Sequence, residues 1–194
     1  MNSSLIQQAA GHSRWLAARL AARPDLEDWL AATLATPFAR QEMLDFLADI
    51  PPADENMLKQ RLRDLRQRVM ARTIVRDLGG LADLVEVTRA CSELAEVTVT
   101  AARDFIHADL ASIHGAPADA NGKPMRMIVV GMGKLGGYEL NVSSDIDLIF
   151  VYPEDGETPG PRRLSHHEFF TRLGKRLIAA IGEATADGFV FRVD

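Results

Sequence analysis

Over residues 5–113 apolar positions recur at three- and four-residue spacing, the period of a helix with one buried side, and Pro and Gly punctuate them. Residues 5–22 carry Leu5, Ile6, Ala9, Trp15, Leu16 and Leu20 on such a stripe, which predicts one helix. Pro24 opens a second over 25–35 with Leu26, Trp29, Leu30 and Leu34 aligned, and Pro37 a short third through Leu47. Pro51-Pro52 breaks the run. From 54 to 73, Leu58, Leu62, Leu65 and Val69 stand among charged residues, predicting an amphipathic helix whose charged stripe, Lys59 to Arg72, faces water. After Gly79-Gly80, residues 81–113 predict a long helix turning Leu84, Val87, Leu94, Val97, Ala101, Phe105 and Ile106 inward.

Beyond 113 the period changes. Residues 114–124 concentrate Gly, Pro, Ala and Asn and read as a linker or exposed loop. Residues 127–130 form a short buried strand that Gly131 ends, and a second strand begins at Asp145. A loop over 153–163 follows. Ser165 and Glu168 have capping-box spacing and open a helix burying Phe169, Phe170, Leu173, Leu177, Ile178 and Ile181. Gly188 ends that region, and 189–194 alternates as a third strand finishing on Asp194. The expected fold class is α+β: a helical region over 1–113, a linker over 114–124, and a domain over 125–194 with a small mixed sheet. A strand without its partner elements suggests a fragment of a longer polypeptide, truncated at its C-terminus.

Composition narrows the picture. With 194 residues, 47% of them hydrophobic, the chain can bury a sizeable core. A net charge of -5 supplies no basic patch, which argues against nucleic acid as a principal ligand. Cys91 stands alone, so there is no disulfide framework and a reducing, cytoplasmic setting is the natural reading. No apolar run reaches membrane-spanning length, and His12 and Arg14 interrupt any signal-like core.

The chemistry concentrates between residues 127 and 152. Alternation puts Asp145 and Asp147 on one face of a strand, roughly 7 Å apart along it. Two such carboxylates repel each other unless a cation or solvent intervenes, and their spacing can straddle two divalent ions roughly 3.5–4 Å apart. The preceding turn, Gly131-x-Gly133-x-x-Gly136, satisfies the dinucleotide-binding pattern. Only residues 137–143 then separate it from the next strand, too few for a parallel crossover with its helix, which needs at least ten to twelve. A GxxxxGK[ST] phosphate loop is excluded because Leu135 follows Lys134. There remains a glycine turn whose amides and Lys134 can face a triphosphate, with metal-holding carboxylates on the adjacent strand.

The run GMGKLGGYELNVSSDIDLIF resembles the signature of the polymerase-β-like nucleotidyltransferases, and within them that of the two-headed glutamine synthetase adenylyltransferases. The similarity continues through FFTRLGKRLI and DGFVFRVD and covers the N-terminal helices more loosely. The resemblance implies a polymerase-β-like domain carrying one of two nucleotidyltransferase copies. The motif follows closely on Met1, and ELN stands before SSDIDLIF, as in the first copy, the one that removes AMP from adenylylated glutamine synthetase by transfer to phosphate, giving ADP. The adenylylating, ATP-using activity and a degenerate nucleotide-sensing module are the alternatives, and a dinucleotide-dependent oxidoreductase a more distant one.

The same resemblance implies that Gly133, Lys134, Gly136 and Gly137 form the phosphate-facing turn, and that Asp145 and Asp147 are catalytic metal ligands with Asp194 the candidate third. Ser144 either touches phosphate or caps the start of the strand. Two Mg²⁺, with ATP, ADP and phosphate as substrates or products, glutamine synthetase as protein substrate and a PII-type nitrogen-signalling regulator complete the expectation. Outside the motif, His166 and His167 read as solvated first-turn residues, Cys91 as packing, and Glu139 and Asn141 as support for the turn.

Overall fold

The computed structural model describes residues 2–194. Its first helices are α1 (Asn2–His12), α2 (Arg14–Ala22), α3 (Pro24–Thr33) and α4 (Arg40–Asp49). The single helix expected over 5–22 is two, because Ser13 adopts extended backbone and its hydroxyl accepts the Leu16 N–H at 3.2 Å, capping a new helix. Nor does Pro37 open a helix. Residues 37–39 lie outside any helix while Phe38 is buried against Trp29, with ring centroids 6.0 Å apart, and α4 starts at Arg40 after the extended Ala39.

Helix α5 (Glu55–Leu78) is capped by Asp54, whose carboxylate accepts the Met57 N–H at 2.8 Å, and it packs against every other long helix. That central position overturns the expected water-facing stripe. Arg63, Gln67, Arg72 and Arg76 are buried. Arg63 donates to the carbonyls of Gly188 and Lys59. Arg72 makes a bidentate pair with Glu42 at 2.9 and 2.7 Å beneath the rings of Trp29 and Phe38. Arg76 grips Glu86 at 2.6 and 3.0 Å and donates to the carbonyls of Leu34 and Leu81. A planar guanidinium whose fork is matched in this way tolerates burial that an unpaired charge would not.

Helix α6 (Leu84–His114), capped by Asp83, runs alongside α5 and presents Val87, Cys91, Leu94 and Ile106 to it and to α8. Burial pushes the Cys91 thiol up to about 12, so it is an inert packing group. Leu84, expected inside, is 76% exposed, since it lies in the first turn at the open end of the α5–α6 hairpin together with exposed Leu78 and Leu81. Helix α7 (Gly133–Gly136) is a single turn, described below, and α8 (His166–Gly182) begins as expected, the Ser165 hydroxyl accepting the Glu168 N–H. Phe169, Leu173, Leu177 and Ile181 are buried, whereas Ile178 is 40% exposed and opens on a shallow groove beside Phe150 and Tyr152. His166 is not solvated. It is buried beneath the 153–157 loop, with Nδ1 3.1 Å from the Glu154 carbonyl, while His167 is exposed.

Strands β1 (Ile128–Gly131) and β2 (Leu148–Val151) form an antiparallel pair with Val129 opposite Phe150 and Val130 opposite Ile149. Val129, Leu148 and Phe150 turn toward the core, and Ile128, Val130, Ile149 and Val151 face outward. The second strand therefore starts three residues after Asp145, and 189–194 contributes a single parallel bridge, Val193 to Ile146, rather than a full strand. One hydrophobic cluster runs from Leu58 and Leu94 through Phe169 and Leu173 to Leu135 and Ile146. Among the described residues no helix is long and apolar enough to cross a membrane.

His107 sits in that packing, its ring 5.4 Å from Phe169 and meeting it edge-on. Burial, followed by the charge of Arg126, lowers its pKa below the usual 6.5. A folded state that resists protonating His107 has its full stability above pH 6.5 and loses it as pH falls through the lowered folded pKa. His107→Phe is expected to flatten this part of the stability–pH curve, measured by urea unfolding between pH 7.5 and 5; an unchanged slope would assign the acid sensitivity elsewhere.

Candidate active site

After β1, backbone alternation gives way to the turn α7, whose N-cap residue Met132 provides no side-chain cap. The first amides of such a turn lack internal acceptors, so they remain available to a ligand. Gly133 has φ +53°, the left-handed region that glycine occupies at little cost. A Cβ there would lie 2.7 Å from Asp147 Oδ2. The Asp147 carboxylate therefore rests directly on the glycine turn, and the main chain adds a second tie, the Met132 N–H donating to the Asp147 carbonyl at 2.9 Å.

Gly136 is required for a different reason. Its φ is not in the left-handed region, but an added Cβ would meet the Gly131 carbonyl at 2.8 Å. Tyr138 is the non-glycine residue with positive φ (61°) among those described. Its hydroxyl donates to Glu96 on α6 at 3.2 Å, fastening the strained end of the turn to the helices. Burial first, and then Glu96, raise the pKa of that phenol. Lys134 and Gly137 are exposed on the turn.

The carboxylates occupy the segment before β2. Asp145 and Asp147 are exposed and Ile146 between them is fully buried, so the period-two alternation expected of a strand holds although the regular pairing begins later. The parallel bridge brings the C-terminal residues alongside: the Ile146 N–H donates to the Arg192 carbonyl, the Asp194 N–H to the Ile146 carbonyl, and the Leu148 N–H to the Asp194 carbonyl. Residues opposite one another in such a ladder share a face, so Arg192 lies beside Asp145 and Asp194 beside Asp147 on the solvent side. Arg192 Nε donates to Asp145 Oδ1, and its terminal nitrogen reaches the Ser143 carbonyl at 3.2 Å. Sequence reasoning did not single out Arg192, although the alternation in FVFRVD puts it on the face of Asp194.

Ser144 is engaged locally, its hydroxyl accepting the Asn141 N–H at 3.2 Å, while Asn141 Oδ1 accepts from the Ser143 amide. These bonds close the turn that precedes Asp145. Among the described residues no three His, Cys, Asp or Glu side chains converge at metal-binding separation. The donors nevertheless suit Mg²⁺, a hard ion that keeps several waters and takes one or two carboxylates plus substrate phosphates. Asp145 and Asp147 supply carboxylate oxygens on an open face, with the uncapped amides of the turn beside them.

Gly133→Ala is expected to displace Asp147 and to impose about 1–2 kcal/mol of backbone strain. Mg²⁺ affinity should fall while the helices remain folded, which calorimetry and far-ultraviolet dichroism would measure together. Wild-type affinity in this variant would mean that the contact between turn and carboxylate is incidental.

The sequence model of the glutamate-ammonia ligase adenylyltransferase family matches residues 3–194. Among curated proteins, the chain is 47% identical over 197 residues to a protein of Nitrosomonas europaea, covering 99% of this chain and 21% of that protein. To one of Chromobacterium violaceum it is 50% identical over 193 residues, covering 99% and 22% respectively. To one of Aromatoleum aromaticum it is 48% identical over 189 residues, covering 97% and 20%. All three are named bifunctional glutamine synthetase adenylyltransferase/adenylyl-removing enzyme. The chain thus spans about a fifth of the length of these relatives. With the family model matching almost its whole length, the chain belongs to the glutamate-ammonia ligase adenylyltransferase family.

Proposed function

We propose that this chain is the N-terminal part of a bifunctional enzyme controlling glutamine synthetase, and that it carries the copy that removes AMP from the adenylyl-tyrosine by phosphorolysis. One observation carries the reading: the Asp147 carboxylate lies against Gly133, so the glycine turn and the acidic pair form one site for a phosphate ester and its cations. Similarity over nearly the whole chain to proteins named for both activities supports it, and Glu139-Leu140-Asn141 ahead of the acidic pair favours the removing copy. The fold we assign is polymerase-β-like, in keeping with the parallel bridge that adds Val193 to the antiparallel pair.

In the reaction, a phosphate oxygen attacks the phosphorus of AMP, the bond from phosphorus to the tyrosine oxygen breaks, the tyrosine takes a proton, and ADP leaves. Bound Mg²⁺ would neutralise charge developing on the phosphoryl oxygens. Asp145 and Asp147, with Asp194 beside them, would hold the cations. The amides of Gly133 and the residues after it would receive phosphoryl oxygens, Lys134 would add positive charge at the rim, and Gly136 and Gly137 would leave the approach open. Ser144 shapes the turn that aims Asp145 and keeps a hydroxyl proton to donate. No side-chain nucleophile is needed, since positioning and charge stabilisation account for this class of transfer. Glutamine synthetase is the protein substrate in this reading, and a PII-type regulator acts on the full-length protein.

The test uses the full-length protein with adenylylated glutamine synthetase, phosphate and Mg²⁺. ADP should form as the tyrosine loses AMP, followed by mass spectrometry of the tyrosine peptide. If this site's inactivation stopped ATP-dependent adenylylation and spared removal, the copy would be the transferase.

A further inference from the structure

Beside the carboxylate face lies a separate cavity of about 280 Å³, walled by α2, α5, the 143–144 turn and the segment around Phe189. Arg66 on α5 lines it. Its guanidinium packs against two rings, with its carbon 5.8 Å from the centroid of Trp15 and 5.2 Å from that of Phe189. Arg63, Arg72 and Arg76 on the same helix end on carbonyls or glutamates, whereas Arg66 meets no carboxylate among the described residues, and its Nε, like that of Arg72, is buried without a hydrogen-bond partner. The charged or ionisable groups acting on it are Cys91 and Arg19, with no carboxylate among them, and burial lowers its pKa. A half-buried cation without a counter-charge is left partly uncompensated, and here its neighbours are aromatic rings rather than an acid.

Part of the remaining wall carries donors. The hydroxyls of Ser13 and Ser144 each accept one backbone N–H at 3.2 Å, which leaves each proton free to be donated. Arg192 contributes a second guanidinium, already committed to Asp145. No carboxylate lines the cavity, and the rest of the lining is largely apolar.

We propose that this cavity is a binding site for a small organic oxyanion, a carboxylate or phosphoryl group on an apolar body, with Arg66 supplying the charge and Ser13 and Ser144 the hydrogen bonds. It does not rest on the nucleotidyl-transfer reading, because none of its ligand contacts requires a metal, although Ser144 borders both sites. A guanidinium packed against two rings is partly preorganised, so less side-chain freedom remains to be lost on binding. The apolar walls exclude water from the ion pair and strengthen it.

The experiment is calorimetric titration of the full-length protein with benzoate and with phenyl phosphate, in excess chelator so that no divalent ion is present, and with benzyl alcohol as the uncharged control. Saturable binding of at least one anion and none of the alcohol is expected, and the stronger of the two anions shows whether the site takes a carboxylate or a phosphoryl group. Arg66→Gln should weaken binding tenfold or more, and Ser144→Ala, which keeps both arginines, about threefold to tenfold. Asp147→Asn should leave it unchanged, so the outcome here and that of the metal site are read separately. The proposal is overturned if neither anion binds saturably at millimolar concentration. It is equally overturned if Arg66→Gln binds as wild type does or, should that variant not fold, if Ser144→Ala does.

Discussion

Asp145→Asn in the full-length protein is expected to cut phosphate-dependent release of ADP from adenylylated glutamine synthetase by several orders of magnitude, with ATP-dependent adenylylation retained. Asparagine keeps the shape of the side chain and removes the charge that holds a divalent cation. If the lost ligand costs several kcal/mol of transition-state stabilisation, the rate falls about tenfold for each 1.36 kcal/mol. The fold should tolerate the change, because Asp145 and its partner Arg192 are both substantially exposed, with side-chain exposures of 41% and 59%. An exposed pair of this kind contributes at most about 1 kcal/mol. Mg²⁺ titration of the same variant gives a reading independent of turnover. A variant that bound Mg²⁺ normally and removed AMP at the wild-type rate would end the metal-ligand assignment.

Arg76→Met should have the largest effect on stability. The Arg76 side chain is 7% exposed and its partner Glu86 21%. The guanidinium joins three pieces of chain: the end of α3 through the Leu34 carbonyl, the α5–α6 connection through Leu81, and the first turn of α6 through Glu86. Methionine can fill much of the volume but leaves two carbonyls and a largely buried carboxylate without their donor. Breaking one side of a buried pair costs about 3–5 kcal/mol, which for a domain of this size lowers the melting temperature by on the order of 10 °C. Pairing Arg76→Met with Glu86→Leu should recover part of the loss, since no unpaired charge then remains. Thermal unfolding of both variants decides this, and a loss below about 1 kcal/mol in the single variant would show that water replaces the arginine.

What was legible in the sequence was local. The alternation around Ile146 placed Asp145 and Asp147 together on the solvent side, and the Ser165 cap marked the start of α8, because each depends on neighbours within a few residues. The glycine turn was also visible, though the left-handed position is Gly133 while Gly136 is kept small by the Gly131 carbonyl, a distinction that only three-dimensional contact reveals. Charged positions were misread where the outcome depended on distant chain. Arg72 looks water-facing in a periodic pattern, yet its acid, Glu42, lies on another helix that closes over α5. Arg192 escaped notice for a similar reason, its partner Asp145 being 47 positions away.

The hydrophobic cluster shared by α5, α6, α8 and the sheet bears on cooperativity. Ile146, which separates the two aspartates, is fully buried in it, as are Phe169 and Leu173 of α8. The amide of Ile146 is consequently tied to the same cooperative unit as the helices, and its hydrogen exchange should require an opening close in free energy to unfolding of the whole core. The exposed carboxylates on either side thereby gain a rigid baseline from residues that never touch a ligand, and their spacing should persist until the helices themselves come apart.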